Sequence, residues 1–267
     1  MRLHKTGPKK VFDKFAYYHD AVQSADTDVR FLRRVYREHR KRDPKILRED
    51  FCGTFQLCLE WAKMSPKNMA IGLDLDPEPL AYGQNILAAK SAGLRRRVRT
   101  LEKNVMDADG PASDITVALN FSYFIFKTRD ELKRYFTATL RSLKRNGVFV
   151  LDVFGGSECY DENEEKTKYR KFTYYWHQHG YDPITGQAKF SIHFKPRLGK
   201  KVENVFTYDW RMWSIPELRE ILSEVGFKRT HIYWEGNDRK GGGDGKFTRT
   251  EKGEECLAWV AYIVAEK

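Results

Sequence analysis

Glycine is scarce where a nucleotide-binding chain would need it most. The stretch ILREDFCGTFQL (46–57) reads as the end of a buried strand, a tight turn and the start of a helix, yet it holds one glycine, Gly53. A pyrophosphate needs the close backbone approach that G-x-G-x-x-G allows, and Phe51 and Phe55 stand where glycine would be wanted. The absence argues against an NAD-dependent oxidoreductase and against a P-loop nucleotide. It leaves room for an adenosine cofactor without phosphates. Cysteine is also sparse: Cys52, Cys58, Cys159 and Cys256 form no CxxC pair and no dense framework. Reduced thiols are expected, and a disulfide scaffold is excluded. No apolar run follows the basic opening MRLHKTGPKK, and no stretch approaches the roughly 20 apolar residues that span a bilayer. A cytoplasmic protein with no membrane partner is expected.

What is present suits a sizeable core. The chain has 267 residues, 41% of them hydrophobic and 14% aromatic, enough for one α/β domain with elaborations. Its formal charge is +11, concentrated in residues 30–45 and 94–99. Such charge permits a nucleic-acid partner. The first run, however, keeps Phe31, Leu32 and Val35 as one apolar stripe, the pattern of a helix with a solvated face.

Two helices are expected over 11–23 and 28–40, with Asp26 or Thr27 capping the second and Pro44 forcing a break. Strands are expected at 45–50, 69–76, 98–105, 114–120 and 147–154. The helices between them carry readable ends: Asp76 as cap, Gly93 as stop, and a Thr128–Glu131 capping box. This alternation predicts a mostly parallel sheet with right-handed crossovers. The rhythm then changes. Residues 161–170 read as a charged, mobile stretch, 171–195 as a hairpin and 204–213 as a third antiparallel strand. A helix over 214–227 has Ser214 and Glu217 as its capping box and Gly226 as its stop. Two strands (228–236, 256–266) flank a glycine-rich loop (237–255) expected to lack a fixed conformation. The implied division is a helical cap (1–44), a core (45–154 and 213–267) and an antiparallel insertion (155–212).

Open α/β sheets bind ligands at the carboxyl ends of their strands. Those ends read RED-FCGT, LDLD, KNVMD and ALNFSY, rich in acids and asparagine. Asp74 closes the second strand, where two carboxylate oxygens can accept from the vicinal hydroxyls of a ribose, while Asp76 is free to cap the next helix. The ordered set resembles the class I S-adenosylmethionine-dependent methyltransferases over about residues 45–154 and 213–266. ILREDFCGTF resembles their first motif, with Glu49 at its acid and Phe51, Gly53 and Phe55 at its glycines. IGLDLD resembles the second, placing Asp74 at the ribose with Leu75 beside it. KNVMDAD resembles the third, placing Asn104 and Val105 at the adenine, with Asp107 as the competing choice. ALNFSYF resembles the segment lining the methionine end, which points to Asn120 and Phe121. WSIPELREILSEVGF resembles the helix before the sixth strand. The entry helix and the insertion resemble those of glycine-type N-methyltransferases and natural-product methyltransferases.

The resemblance implies a Rossmann-like, seven-stranded, mostly parallel sheet, S-adenosylmethionine as cofactor, and methyl transfer to N or O of a small molecule. Arg48 could pair with the methionine carboxylate, or with Asp50 or another surface acid. His19, on the entry helix, is the candidate general base because its ordinary pKa lies near neutrality. Tyr18, Tyr123 and Trp210 are the residues expected at the substrate, while Tyr17 and Tyr18 are also ordinary packing residues. His177, His179 and His193 share a strand pattern without a carboxylate or cysteine at metal spacing, so no metal is expected. Tyr174, Trp176, Tyr208, Trp210 and Trp213 could pack an insertion sheet, form a homodimer face or line a substrate pocket. Two other functions stay open: an RNA or protein methyltransferase, which requires the basic runs beside the cofactor mouth, and a non-catalytic module whose first loop the phenylalanines have closed.

Overall fold

The computed structural model describes residues 12–107, 110–238 and 242–267. The basic opening, the last two residues of KNVMDAD and the middle of the glycine-rich loop lie outside these. Between residues 45 and 155 the apolar runs become five parallel strands: β1 (Ile46–Asp50), β2 (Met69–Asp74), β3 (Val98–Glu102), β4 (Ser113–Ala118) and β5 (Leu143–Gly155). Helices α3 (Gln56–Met64), α4 (Pro77–Ala88), α5 (Ala92–Arg95) and α6 (Arg129–Ser142) connect them, after α1 (Lys14–Ala21) and α2 (Ala25–Arg40). Four strands, β6 (Asn163–Lys168), β7 (Phe172–Asp182), β8 (Gln187–Pro196) and β9 (Val202–Arg211), form a separate antiparallel sheet in that order. After α7 (Ile215–Val225), strands β10 (Arg229–Asn237), β11 (Gly243–Thr250) and β12 (Trp259–Glu266) complete the main sheet antiparallel, in the order β3-β2-β1-β4-β5-β12-β10-β11. No described helix is long and apolar enough to cross a membrane.

The expected α/β fold is therefore present, with one strand more than expected. β11 comes from the loop expected to be without fixed structure. Arg34 Nη2 donates to the Phe247 carbonyl at 2.7 Å, and the Phe247 ring lies 4.5 Å from Tyr262 and 5.7 Å from Phe31. Helix α2 thus holds β11 in place, a contact that local sequence does not show. Residues 163–168, expected to be mobile, pair with β7 as β6. Of the helix ends, Asp76, Thr128–Glu131, Ser214–Glu217 and Gly226 cap as expected. Two do not. The N-cap of α2 is Ser24, while Asp26 pairs with Arg30 one turn on at 2.6 Å. Gly93 falls inside α5, and α4 already ends at Ala88, with Ala89 as its C-cap.

The insertion sheet packs by its aromatic face onto the carboxyl ends of β4 and β5. Phe154 lies 5.9 Å from Phe190, and Phe124 lies 5.9 Å from Trp210. The opposite, amino-terminal edge of the main sheet collects several arginines. Helices in such a sheet run against the strands, so their C-termini and negative dipole ends meet there. Arg97 donates to the carbonyls of Ala62, Ser65 and Asn68 at the end of α3, and Arg95 to that of Lys90 beyond α4. Arg40, at the end of α2, reaches the Asn146 carbonyl and Glu266.

Asp114, with no exposed surface, ties this edge together. It accepts from the Lys45 and Ile46 amides at 3.0 Å each, from Lys144 Nζ at 2.8 Å and from Arg42 at 3.3 Å. Burial raises its pKa, but Lys144 and the two amides outweigh burial and hold it below the ordinary carboxylate value. Asp114→Ala removes the acceptor that these partly exposed donors share and should cost about 1–3 kcal/mol in denaturant unfolding; a loss within experimental error would contradict this role.

Candidate active site

The site begins at the β1–α3 turn. Phe51, Gly53 and Phe55 all take left-handed backbone conformations, with φ of 59°, 51° and 49°. The turn therefore keeps the backbone that glycine favours at all three positions, although two are phenylalanine. Neither ring closes the loop. Phe51 packs 5.6 Å from Tyr135 and 6.1 Å from Phe126, towards α6. Phe55 is fully buried against Gly83 of α4, where an added Cβ would lie 2.4 Å from its ring. Above Gly53 an added Cβ would meet nothing within 4 Å. Cys52 is a packing residue, its sulfur 2.7 Å from where a Cβ on Gly72 would stand.

The two acids at the end of β2 divide their work. Asp76 caps α4 by accepting from the Glu78 amide. Asp74 faces the turn, accepting from the Gly53 amide at 2.7 Å and the Asp76 amide at 2.9 Å. Leu75 beside it is 63% exposed, an apolar surface at the open strand end. Glu49 is buried beneath the turn and accepts from the Cys58 amide in the first turn of α3. At the end of β3, Asn104 is exposed and its side chain accepts from the Met106 amide; Val105 is buried and Asp107 exposed.

Three expected site residues are engaged elsewhere. Arg48 is buried and pairs with Asp50 at 2.7 Å while donating to the Val105 carbonyl at 2.7 Å. Of its foreseen partners it takes Asp50, so it is not turned towards a methionine carboxylate. Tyr123 is fully buried, its hydroxyl donating to the Asp152 carbonyl at 2.7 Å. Trp210 is buried where the insertion meets the core, 5.9 Å from Phe124 and 5.4 Å from Phe190. Both pack the core, because a large ring at a sheet junction gains more from burial than from solvent.

At the end of β4, Asn120 and Phe121 are both left-handed, with φ of 57° each. Their amides donate to the two oxygens of Asp152 at 2.6 and 2.9 Å. Two adjacent non-glycine residues in that conformation store strain, and Asp152 fixes them. The sequence shows Asp152 only as one acid inside the apolar run GVFVLDVF.

Helix α1 lies across the turn. Asp13 caps it and accepts from Tyr82 on α4 at 2.9 Å, and Lys14 pairs with Glu78 at 2.6 Å. His19 Nε2 is 2.5 Å from Thr54 Oγ1 in the turn itself. Burial holds His19 below the ordinary imidazole value, outweighing Asp13 and Asp20. Tyr17 stacks on Phe172 of the insertion at 4.2 Å, a packing role. Tyr18 is pushed up to about 12 by burial and hydrogen-bonds Tyr208.

Three more acids surround this region. Burial raises Glu49 to about 8, with Asp74 and Asp28 adding to it. Burial raises Asp152 to about 7, against the pull of the Phe121 and Asn120 amides. Burial raises Asp28, bonded to Tyr262, to about 6. These acids suit a ligand that brings positive charge.

The histidines on the insertion do acquire a carboxylate, contrary to expectation: Glu164 of β6 lies 3.9 Å from His177 and 3.7 Å from His193. The donor set nevertheless fits a cation poorly. His193 Nδ1 accepts from the Asn204 amide at 2.8 Å, which leaves its proton on Nε2, the atom facing His177 and Glu164. A metal-bound imidazole donates through its other nitrogen instead. Lys201 also sits on Glu164 at 2.5 Å. His39, His231 and Glu266 form a second such group, with Arg40 on Glu266.

No model of a protein family and no curated protein matches this sequence. Solved structures do match. An S-adenosylmethionine-dependent methyltransferase from Clostridium acetobutylicum is similar at TM-score 0.67 and 18% identity, over 95% of this chain and 97% of that one. An amino pentose methyltransferase from Micromonospora echinaspora, solved with S-adenosylmethionine bound, matches at TM-score 0.66 and 16% identity, over 97% and 99%. A sugar N-methyltransferase from a Streptoalloteichus species matches at 0.64 and 18%, over 100% and 98%. The chain has the fold of the S-adenosylmethionine-dependent methyltransferases. The fold matches over nearly the whole chain, and the resemblance read over about residues 45–154 and 213–266 lies within it.

A carboxyl whose pKa is raised on folding binds more protons folded than unfolded. Its contribution to stability is present at low pH and lost as pH rises through the folded value. For Asp28, Asp152 and Glu49 those values are about 6, 7 and 8. The ligand-free protein should therefore melt at progressively lower temperature from about pH 4, where the unfolded carboxyls ionise, to about pH 8, and Glu49→Gln should flatten the upper part of that decline. Equal slopes in thermal melts of the two proteins would contradict the burial of an ionisable Glu49.

Proposed function

We propose that the chain is an S-adenosylmethionine-dependent methyltransferase acting on N or O of a small molecule. The observation that carries this is the open crest of the first turn, with the Gly53 amide on Asp74 and both phenylalanine rings turned away. The residues present fit the cofactor. Asp74 would hold the ribose hydroxyls, and Leu75 with the Asn104–Val105 segment would hold the adenine. Asn120, set by Asp152, would meet the methionine end, while Glu49 supports the turn from below. When bound, S-adenosylmethionine supplies a methyl group on a sulfonium, already activated for in-line displacement. The protein's part is to align the acceptor and exclude water. Helix α1 and the insertion sheet are placed to do so. His19 is held neutral by burial and touches Thr54, so it can take a proton from the acceptor.

A small acceptor is favoured by the distribution of charge. The RNA or protein reading needs the basic runs beside the cofactor mouth, and Arg40, Arg95 and Arg97 are instead bound to carbonyls at the opposite edge of the sheet. The solved structures that share the fold include an amino pentose methyltransferase and a sugar N-methyltransferase, which supports the same reading.

The test is release of S-adenosylhomocysteine from S-adenosylmethionine across a panel of small amines and alcohols. Turnover with at least one class is expected, and His19→Ala should lower kcat by about 10²–10⁴-fold if His19 is the base. No turnover by a protein that also fails to bind S-adenosylhomocysteine would overturn the proposal. Unchanged kcat in His19→Ala would leave His19 as a lid residue only.

A further inference from the structure

Beyond Phe121, a cavity of about 690 Å³ opens between the end of β5, the β10–β12 edge and the inner face of the insertion sheet. Its size is that of a small-molecule site. Trp176, Trp234, Trp259 and Phe154 are among the residues lining it, and Trp234 and Trp259 lie 4.9 Å apart. Two glycines give this wall its shape. A Cβ on Gly155 would lie 2.3 Å from the Trp259 ring, and one on Gly156 would lie 2.1 Å from the Leu257 carbonyl oxygen. The rings can lie over the strand end only because no side chain stands there.

The polar lining is one-sided. Glu158, Glu165 and Glu235 contribute to it, and among its described residues there is no lysine, arginine or histidine. In a chain of net charge +11 this is a local reversal of sign. The amides in the wall point the same way. Gln178 spends its NH₂ group on the Asp161 and Glu158 carbonyls, and Asn163 gives its own to Glu158. Asn163 Oδ1, with less than 1 Å² exposed, has no hydrogen-bond partner. Glu235 accepts from the Gly245 amide at 3.0 Å, while Glu158 and Glu165 are exposed. The wall thus offers acceptors and negative charge among aromatic faces, the combination that recognises a cation with N–H donors.

We propose that this cavity receives the methyl acceptor, and that the acceptor is an amine, protonated in solution, carried on a flat apolar body. The identity of the cavity as an acceptor site rests on the methyltransferase reading; its preference for an ammonium rests on the wall alone. The tryptophans take the flat body, and Glu158 and Glu165 take the ammonium; one N–H proton passes to a carboxylate or to water, so that the nitrogen lone pair forms the N–CH₃ bond as the S–CH₃ bond of the sulfonium breaks and S-adenosylhomocysteine leaves. Alcohols of the same shape would lose the charge-assisted contacts, and carboxylates would meet three like charges.

The test uses the three tryptophans as reporters. Fluorescence quenching is titrated with phenethylamine, a cation at neutral pH, and with 2-phenylethanol and phenylacetate, each with and without S-adenosylhomocysteine. The amine should bind about tenfold more tightly than the alcohol, and phenylacetate least. The Glu158→Gln/Glu165→Gln double variant, altered only at exposed positions, should lose that preference to within about twofold while binding S-adenosylhomocysteine unchanged. Equal binding of the three probes, no binding of any, or a preference that survives in the double variant would overturn the proposal. Failure of S-adenosylhomocysteine to bind, with the amine preference intact, would instead remove the methyltransferase reading and leave the ammonium site standing.

Discussion

The backbone of residues 51–55 is the constraint on which the site depends. Three alternate residues hold a left-handed conformation, and two of them carry large rings that ordinarily disfavour it. Each such residue costs on the order of 1–3 kcal/mol. The rings themselves offset that cost, because Phe51 and Phe55 are drawn in opposite directions, towards Tyr135 and towards Gly83. A turn that other sequences build from glycine is here built by anchoring its flanks. The crest at Gly53 stays open, and its amide stays available to Asp74. Worn as a motif, the loop is intact as a shape.

Charge is sorted along the strand direction. Helix N-termini and buried acids meet at the carboxyl edge, where Glu49 sits on the first turn of α3 and Asp152 clamps the amides of residues 120 and 121. Helix C-termini meet at the other edge, where arginines bind their carbonyls and Asp114 gathers Lys144 and Arg42. Part of the basic composition, Arg40, Arg95, Arg97, Arg42 and Lys144, is thus spent on the fold. The acids facing the site are left without a full set of cationic partners, which is the state a sulfonium-bearing cofactor and a cationic acceptor would relieve.

Local patterns were sufficient for the strands and helices that carry their own signals. The apolar run MAIGLDLD, the Asp76 cap and the Thr128–Glu131 and Ser214–Glu217 boxes each rest on residues close together in the chain. What the sequence hides depends on distant partners. β11 needs Arg34 of α2, β6 needs β7, and the carboxylate beside His177 comes from β6. Arg48 pairs with Asp50, two residues away, a contact the sequence allowed but did not single out. Tyr123 and Trp210 were expected at the substrate, because residue type does not reveal which side of a sheet junction a ring occupies. Asp152 carried one faint signal, an acid inside a buried strand.

The most direct test of the account is calorimetric titration of the purified protein with S-adenosylhomocysteine, with NAD as control and Asp74→Ala as the variant. Micromolar binding of S-adenosylhomocysteine alone, weakened by about 1–3 kcal/mol in Asp74→Ala, is the predicted result. A well-folded protein that binds neither ligand, or binds S-adenosylhomocysteine equally well without the Asp74 carboxylate, would contradict the claim that the first turn is an open cofactor loop.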